Sequence, residues 1–293
     1  MTINAKKSFE FFRDLQLNYQ TEISIKNSSS IKRLKVAIVN LMPTVKETEK
    51  HWADVLSHNN STIVELVFFH SLVRPSTRVS ESYLQENYAN WQDYDFADLG
   101  GIIITGAPVE LLEFESVDFY PEVCEIISKS LEYKLSVMLV CWAAQAGLNY
   151  LYGINKQCLE KKLFGVYGHK PIKHDHPLLK GIDGELKACI SRQTKITDQK
   201  VLEYTDVILA SAIDGLDCLA DKKYDITYMF NHLEYTQDTL EAEYLRDKAT
   251  TDNIDKPYNY YDSQNNINYS WQNDRKTFYS NWLDVLKDNK AQL

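Results

Sequence analysis

The chain has 293 residues, 25% charged and 44% apolar, with ten Gly, seven Pro, five Cys and a formal net charge of −9. Those proportions exclude a collagen, a disordered tail and a disulfide scaffold, and describe a globular chain long enough to bury a sizeable core. The acid excess argues against a protein that tracks nucleic-acid phosphates, since no stripe of Lys and Arg is present to release counterions. The N-terminus, MTINAKKSFEFFRD, lacks the apolar stretch and small-residue cleavage site of a secretory leader. Cys124, Cys141, Cys158, Cys189 and Cys218 are odd in number, scattered and never in a C-x-x-C pair, which fits free thiols in a cytoplasmic protein. The apolar stretch from Ser136 to Ile154 is interrupted by Gln145 and Asn149, so a strand-to-helix break at Cys141 explains it better than a membrane span.

Residues 1–33 are polar, end in Ser28-Ser29-Ser30 and read as an N-terminal arm before a single α/β domain over 34–293. LKVAIVNL (34–41) is a short buried strand, and Lys46 to His58 has helical spacing with Trp52 and Leu56 four apart. TIVELVFFH (62–70) is a second strand, followed by a polar loop around Arg74-Pro75-Ser76-Thr77. GGIIITG (100–106) is a third strand, Tyr120 to Tyr133 a helix entered through Pro121, and LSVMLVC (135–141) a fourth strand. This alternation predicts a mostly parallel sheet with helices on both faces. Beyond it, 206–212 and 225–230 read as strands, Thr239 to Lys248 and Thr277 to Lys287 as helices, and 251–275, rich in Asn, Asp and Tyr, as a long surface loop.

Ligands in open parallel sheets bind beyond the carboxyl ends of the strands, so residues just after each apolar run are the place to search. Cys141 ends SVMLVC, and WAAQAGLNYLYG continues with helix formers, which places the thiol on a sharp strand-to-helix turn. The arrangement resembles a nucleophile elbow in which alanines, Ala143 and Ala144, stand for the flanking glycines. A helix N-terminus there stabilises a thiolate, and nearby backbone N–H groups can hold an oxyanion. The plainer alternative is a buried structural cysteine. A nucleophilic thiol needs a base, and the base an orienting group. His232 follows the strand DITYMF, and Glu234, two residues on in extended chain, points to the same side, giving a candidate triad of Cys141, His232 and Glu234. A His-x-Glu pair is common by chance, and its place after a second strand is what singles it out. His169, His174 and His176 lack a carboxylate or cysteine set at ligand spacing, so they read as solvated loop residues and no metal is expected.

VAIVNLMPT with Glu47-Thr48-Glu49, IIITGAPVE, VCWAAQAGLNYLYGI, KLFGVYGH, HLEY with TLEAEYLRD, and YSNWL occur in this order between Leu34 and Leu283. Together they resemble the homoserine O-acyltransferase family of methionine biosynthesis, which contains homoserine O-succinyltransferases and O-acetyltransferases. The resemblance implies a class I glutamine amidotransferase-like (flavodoxin-like) fold and ping-pong acyl transfer. Cys141 then carries the acyl group as a thioester, His232 moves the proton and Glu234 supports the histidine. It further implies substrate contacts at Lys162, Ser191 and Arg246. On the residues alone, Arg246 is equally a helix ion pair with Glu243 and Lys162 a solvated lysine in the run 160–162, while Ser191 carries no signal of its own. In this family a glycine at the position of Glu110 accompanies succinyl transfer and a glutamate acetyl transfer. A carboxylate there fills the acyl pocket and repels a succinyl carboxylate. The backbone N–H of Trp142 and a group of the Gly106 loop are the expected oxyanion donors.

The chain departs from the family pattern at Val45, where a lysine is usual and Lys46 is displaced by one, at CISR (189–192) in place of PHSR, and at Asn231 in place of the glycine before His232. The expected reaction is transfer of acetyl from the co-substrate acetyl-CoA to a small hydroxy amino acid, with no resident cofactor. L-homoserine is favoured as acceptor. L-serine, the substrate of cysteine biosynthesis, is the alternative, because one methylene is worth only about 1–3 kcal/mol of discrimination. A glutamine amidotransferase-like hydrolase and a non-enzymatic binding protein of the same fold remain readings of another class. Small molecules are the expected partners, with no nucleic acid and no membrane, and a homodimer is permitted.

Overall fold

In the computed structural model, which describes residues 3–5, 9–10, 32–59, 62–213, 215–250 and 254–290, Val, Ile and Leu runs form strands that amphipathic helices cover from both sides. The elements in chain order are β1 (Ile3–Asn4), β2 (Lys32–Asn40), α1 (Val45–Leu56), β3 (Thr62–His70), α2 (Glu81–Asn87), β4 (Tyr88–Ala89), β5 (Gly101–Ile104), α3 (Tyr120–Glu132) and β6 (Ser136–Val140). They continue with α4 (Trp142–Tyr152), β7 (Lys156–Pro171), β8 (Leu186–Ile196), α5 (Val201–Tyr204), β9 (Thr205–Ser211), β10 (Gly215–Asp221), β11 (Ile226–Met229), α6 (Thr239–Lys248) and α7 (Gln272–Lys290). Among the described residues the strands make one eleven-stranded sheet in the order β1-β3-β2-β5-β6-β11-β10-β9-β7-β8, with β4 on the free part of β3. Pairing is parallel from β1 to β11 and antiparallel from β11 to β8. No described helix is long and apolar enough to cross a membrane.

Alternation along the central strands sorts the core into two layers. Val36, Ile38, Ile103, Met138 and Val140 face Trp52 and Leu56 of α1 and Phe278, Trp282 and Leu286 of α7. Their sequence neighbours Ala37, Val39, Ile102, Ile104, Val137 and Leu139 face Val123, Ile126 and Ile127 of α3 and the alanines of α4. Each fully buried Leu, Ile or Phe removed from water here is worth about 1.5–3 kcal/mol. Ile3, Ala5 and Phe9 also join the first layer, and β1 pairs in parallel with β3 at Ile3↔Val64. Most of the polar N-terminal segment, including Ser28-Ser29-Ser30, lies outside the described residues.

The expected mostly parallel sheet is completed by an antiparallel part, β10-β9-β7-β8. β7 and β8 are the two longest strands, and β7 has no clean alternation because Glu160, Lys161 and Lys162 interrupt it and a register shift falls between Cys158 and Leu163. His169 is a correction: it sits on β7 and is fully buried, not in a solvated loop. The stretch expected as a long surface loop is also different. Residues 251–253 lie outside the description, but Tyr260 and Trp271 are buried with Phe164, Val166, Leu240 and Tyr244 in a third cluster, and α7 starts at Gln272, five residues before the expected helix.

That segment is hydrogen-bonded to the β7 backbone through Tyr258. Val166 N–H donates to Tyr258 O (2.8 Å) and Tyr258 N–H to Phe164 O (2.9 Å). Gly165 between them has φ +146°, and a Cβ there would lie 2.4 Å from the Tyr258 backbone. Gly165→Ala is therefore expected to lower unfolding stability by about 3 kcal/mol. Urea denaturation checks this, and an unchanged midpoint would show that the crossing is not a structural constraint.

Candidate active site

Because β2, β5, β6 and β11 run the same way, their carboxyl ends open on one edge, and the chain leaves each of them toward a common cleft. At the end of β6, Cys141 adopts φ +53°, ψ −112°, a conformation rare for a residue with a Cβ. The neighbouring strand and helix hold it there. Cys141 N–H donates to Met229 O of β11 (2.7 Å), while its carbonyl accepts from Ala144 (3.1 Å) and Gln145 (3.3 Å) in the first turn of α4. Ala143 and Ala144 are fully buried, so small side chains let the helix start this close to the sheet. The Trp142 N–H opens α4 and has no intrahelical acceptor.

His232 arrives from the other side. Its N–H donates to Cys189 O of β8 (2.8 Å), and its ring Nδ1 donates to Glu234 Oε1 (2.6 Å). The Tyr235 ring stacks on the imidazole at 4.4 Å and 20°. Burial works against an imidazolium at this position, but the charge of Glu234 and contact with the Cys141 sulfur outweigh it and hold His232 well above the ordinary histidine range. Gly106 marks the meeting point: a Cβ on it would lie 3.2 Å from Cys141 Cβ and 3.8 Å from His232 Cε1.

The cleft in front of the thiol measures about 880 Å³ and is lined by Cys141, His232, Gly106, Glu110, Lys162, Ser191 and Arg246 among others. Glu234 stands behind the imidazole. Trp142 contributes no side chain to the cleft, its indole being fully buried against Phe114 and Phe119. Burial pushes the Glu110 carboxyl up, against a hydrogen bond from the Gln193 backbone and the charges of Lys162, His232 and Arg192.

Lys162, projecting from β7, is no solvated lysine. Its ammonium lies 2.9 Å from Asp247 and 3.7 Å from Glu243 and sits over the Phe164 ring. Arg246 on α6 pairs with Asp247 (2.7 Å) rather than with Glu243. Glu243 is instead taken by Ser191 Oγ (2.5 Å) and Tyr235 OH (2.6 Å). Lys46 turns away to Glu10 (2.7 Å).

Several supporting residues escaped the sequence reading. Arg275 of α7, 1% exposed, donates from Nε to Leu233 O (3.0 Å) and from Nη2 to Glu234 O (2.9 Å), clamping the backbone that carries the carboxylate. Tyr235 and Glu243 link the imidazole to the cleft wall. Asn231 reaches the buried Asp217, whose carbonyl also takes the Phe230 N–H (2.8 Å) and whose Oδ2 lies 3.5 Å from His169 Nδ1. A polar side chain just before His232 thus has a buried partner on β10. HLEY contained the signal for Tyr235, but Arg275 and Asp217 lie about 40 and 15 positions from the histidine and nothing local marks them.

The chain is similar to known proteins in both fold and sequence. Among solved structures, a glutamine amidotransferase from Thermotoga maritima superposes with a TM-score of 0.62 over 86% of this chain and 98% of that one, at 10% identity. A glutamine amidotransferase from Methylobacillus flagellatus gives 0.55 over 87% and 95%, at 11% identity. At such identities they establish the class I glutamine amidotransferase-like fold alone. Among sequences, the homoserine O-acetyltransferase of Agathobacter rectalis is 39% identical over 261 residues, covering 87% of this chain and 84% of the relative. That of Synechococcus elongatus is 37% identical over 259 residues, covering 87% and 86%. Residues 8–291 match the family described as homoserine O-succinyltransferase, and the chain is a member of that acyltransferase family.

Proposed function

We infer that this chain is a homoserine O-acetyltransferase that moves an acetyl group from acetyl-CoA to the side-chain hydroxyl of L-homoserine through a thioester on Cys141. The observation that carries the reading is the convergence of Cys141, at a positive-φ turn opening α4, with the Glu234-bound imidazole of His232 at the mouth of a cleft bordered by Glu110. The Cys141 thiolate attacks the thioester carbonyl, and the tetrahedral oxyanion is met by the Trp142 N–H and the Gly106 loop, each aimed donor being worth about 3 kcal/mol. The carbon–sulfur bond to CoA breaks and the leaving thiolate takes the proton of the His232 imidazolium, leaving acetyl-Cys141 and a neutral imidazole. His232 then accepts the hydroxyl proton of the acceptor as its oxygen attacks the enzyme thioester. Collapse releases the O-acetyl amino acid and restores the thiolate–imidazolium pair.

Arg246, Lys162 and Ser191 border the cleft where the amino acid's carboxylate and ammonium would lie, with Arg246 supplying forked donors for the carboxylate. The relatives' names favour homoserine over serine as acceptor. The Glu110 carboxyl supports acetyl as the donor group, since a succinyl carboxylate beside it would meet like charge in a partly dehydrated site.

Incubation with acetyl-CoA alone, followed by digestion and mass spectrometry, is expected to place one acetyl group on Cys141 and none on Cys141→Ala. Turnover without that adduct would exclude the thioester route, and glutamine hydrolysis in its place would favour an amidotransferase-like hydrolase. Steady-state assay with both acceptors separates L-homoserine from L-serine. Glu110→Gly is expected to raise kcat/KM for succinyl-CoA relative to acetyl-CoA by about tenfold, and an unchanged ratio would remove Glu110 from donor choice. Glu234→Gln withdraws the leading charge that raises the His232 pKa. The imidazolium should then lose its proton at lower pH, moving the alkaline limb of Cys141 acetylation toward lower pH, and a stationary limb would show that Glu234 does not act through His232.

A further inference from the structure

A second cavity, of about 360 Å³, opens on the same carboxyl edge of the sheet. It shares Met42, Ala107, Pro108 and Val109 with the wall of the Cys141 cleft, so these residues form a ridge between the two. Their charges are opposed. The thiol cleft is bordered by five acids (Glu110, Glu160, Glu243, Asp247, Asp255) against Lys161, Lys162, Arg246 and the His232 imidazolium. The described lining of the second cavity includes Arg74 and Arg78 and no Asp or Glu, in a chain whose net charge is −9. Its floor is apolar, from Leu41, Val45, Leu84 and Phe119, and its rim carries the hydroxyls of Ser76 and Thr77.

The rim is braced from beneath. Glu122, buried in α3, accepts hydrogen bonds from Ser71 Oγ, from the Leu72 N–H (2.7 Å) and from Trp91 Nε1 (2.9 Å). Ser71 Oγ in turn accepts the Arg74 N–H (2.9 Å), and Ser76 Oγ the Arg78 N–H (3.2 Å). A buried carboxylate thereby fixes the start of the loop that presents the two guanidinium groups. Arg74 reaches Asp118 only at 3.5 Å, with both side chains largely exposed, a pairing worth little in water and readily exchanged for phosphate.

We propose that this second cavity binds the phosphate-bearing end of the acyl-CoA donor, with Arg74 and Arg78 on its phosphates, while the acyl thioester crosses the Met42 and Ala107–Val109 ridge to Cys141. This rests on the acetyl-CoA reading above. Coenzyme A is chemically two-ended: a neutral pantetheine arm carries the thioester, and a nucleotide carries the diphosphate and 3′-phosphate. The acids around the thiol repel the charged end and admit the neutral one, and the apolar floor of the second cavity offers a surface for the nucleotide base.

The test compares wild type with the double variant Arg74→Ala/Arg78→Ala, using acetyl-CoA and S-acetylpantetheine, which lacks the phosphates, as donors. Both arginines are exposed, so the variant should retain its fold, checked by circular dichroism. The concentration of acetyl-CoA giving half-maximal Cys141 acetylation is expected to rise about tenfold or more in the variant, with the limiting rate kept and with S-acetylpantetheine unaffected. Replacing both arginines with lysine should recover part of the loss. Equal half-saturation by acetyl-CoA in wild type and variant overturns the assignment, as does an equal loss with S-acetylpantetheine, which would make the arginines structural. A wild-type protein that forms no thioester from acetyl-CoA overturns the donor reading and this inference with it, so the two failures are told apart.

Discussion

Cys141 is held at positive φ by hydrogen bonds to two different elements, β11 through its N–H and α4 through its carbonyl. A residue with a Cβ pays about 1–3 kcal/mol to sit there, and it stays only because the parallel register of β6 on β11, Val140 opposite Met229, leaves the chain no relaxed exit. The same register sets the height at which the chain leaves β11, and so the height of His232. One pairing therefore positions both the thiol and its base. The small residues around it follow from that constraint: a Cβ on Gly106 would press on Cys141 Cβ at 3.2 Å, and Ala143 and Ala144 let α4 begin against the sheet.

The electrostatics of the site rest on the same frame. An imidazole buried at this edge would ordinarily lose its proton, yet Glu234 and the sulfur keep it charged. Glu234 can do so because Arg275 grips its backbone from α7 while Tyr235 covers the ring, leaving one imidazole nitrogen free to face the thiol. Arg275 is itself tied to Asp54 of α1. The carboxylate that meets the imidazole is thus anchored by two helices that cover one face of the sheet.

The two halves of the sheet divide the work. The parallel half supplies the thiol, the Gly106 loop and the arginine-bearing loop after β3. The antiparallel half supplies Lys162, just before the close β7–β8 pairing, and Ser191, opposite Phe164 within it, and its β8 accepts the His232 N–H at Cys189. Tyr235 and Glu243 tie these to α6. An acidic cleft wall and a basic neighbouring cavity lie on either side of a short neutral ridge.

The parallel half was legible because each of its strands is a short, branched, apolar run ended by a polar or small residue: TIVELVFFH was bounded to the residue, and the expected strand 135–141 runs one residue past Ser136–Val140 at each end. The joint order of family motifs identified Cys141, His232 and Glu234, and local spacing already placed them after strands. β7 and β8 were not legible, since their apolar positions are interrupted by charges that turn out to line a cleft, and His169 and Trp271 looked solvent-facing because their burial depends on partners far along the chain. Sequence alone determined where the parallel strands end and which side chains stand at those ends as candidates for chemistry, because those are properties of a few adjacent residues. Only the tertiary structure decided that Arg246 pairs with Asp247, that Arg275 and Asp217 brace the histidine, and that a positively lined cavity adjoins the thiol cleft. Each of those depends on contacts across the sheet, and packing distance between such segments is set by the whole core rather than by any local pattern.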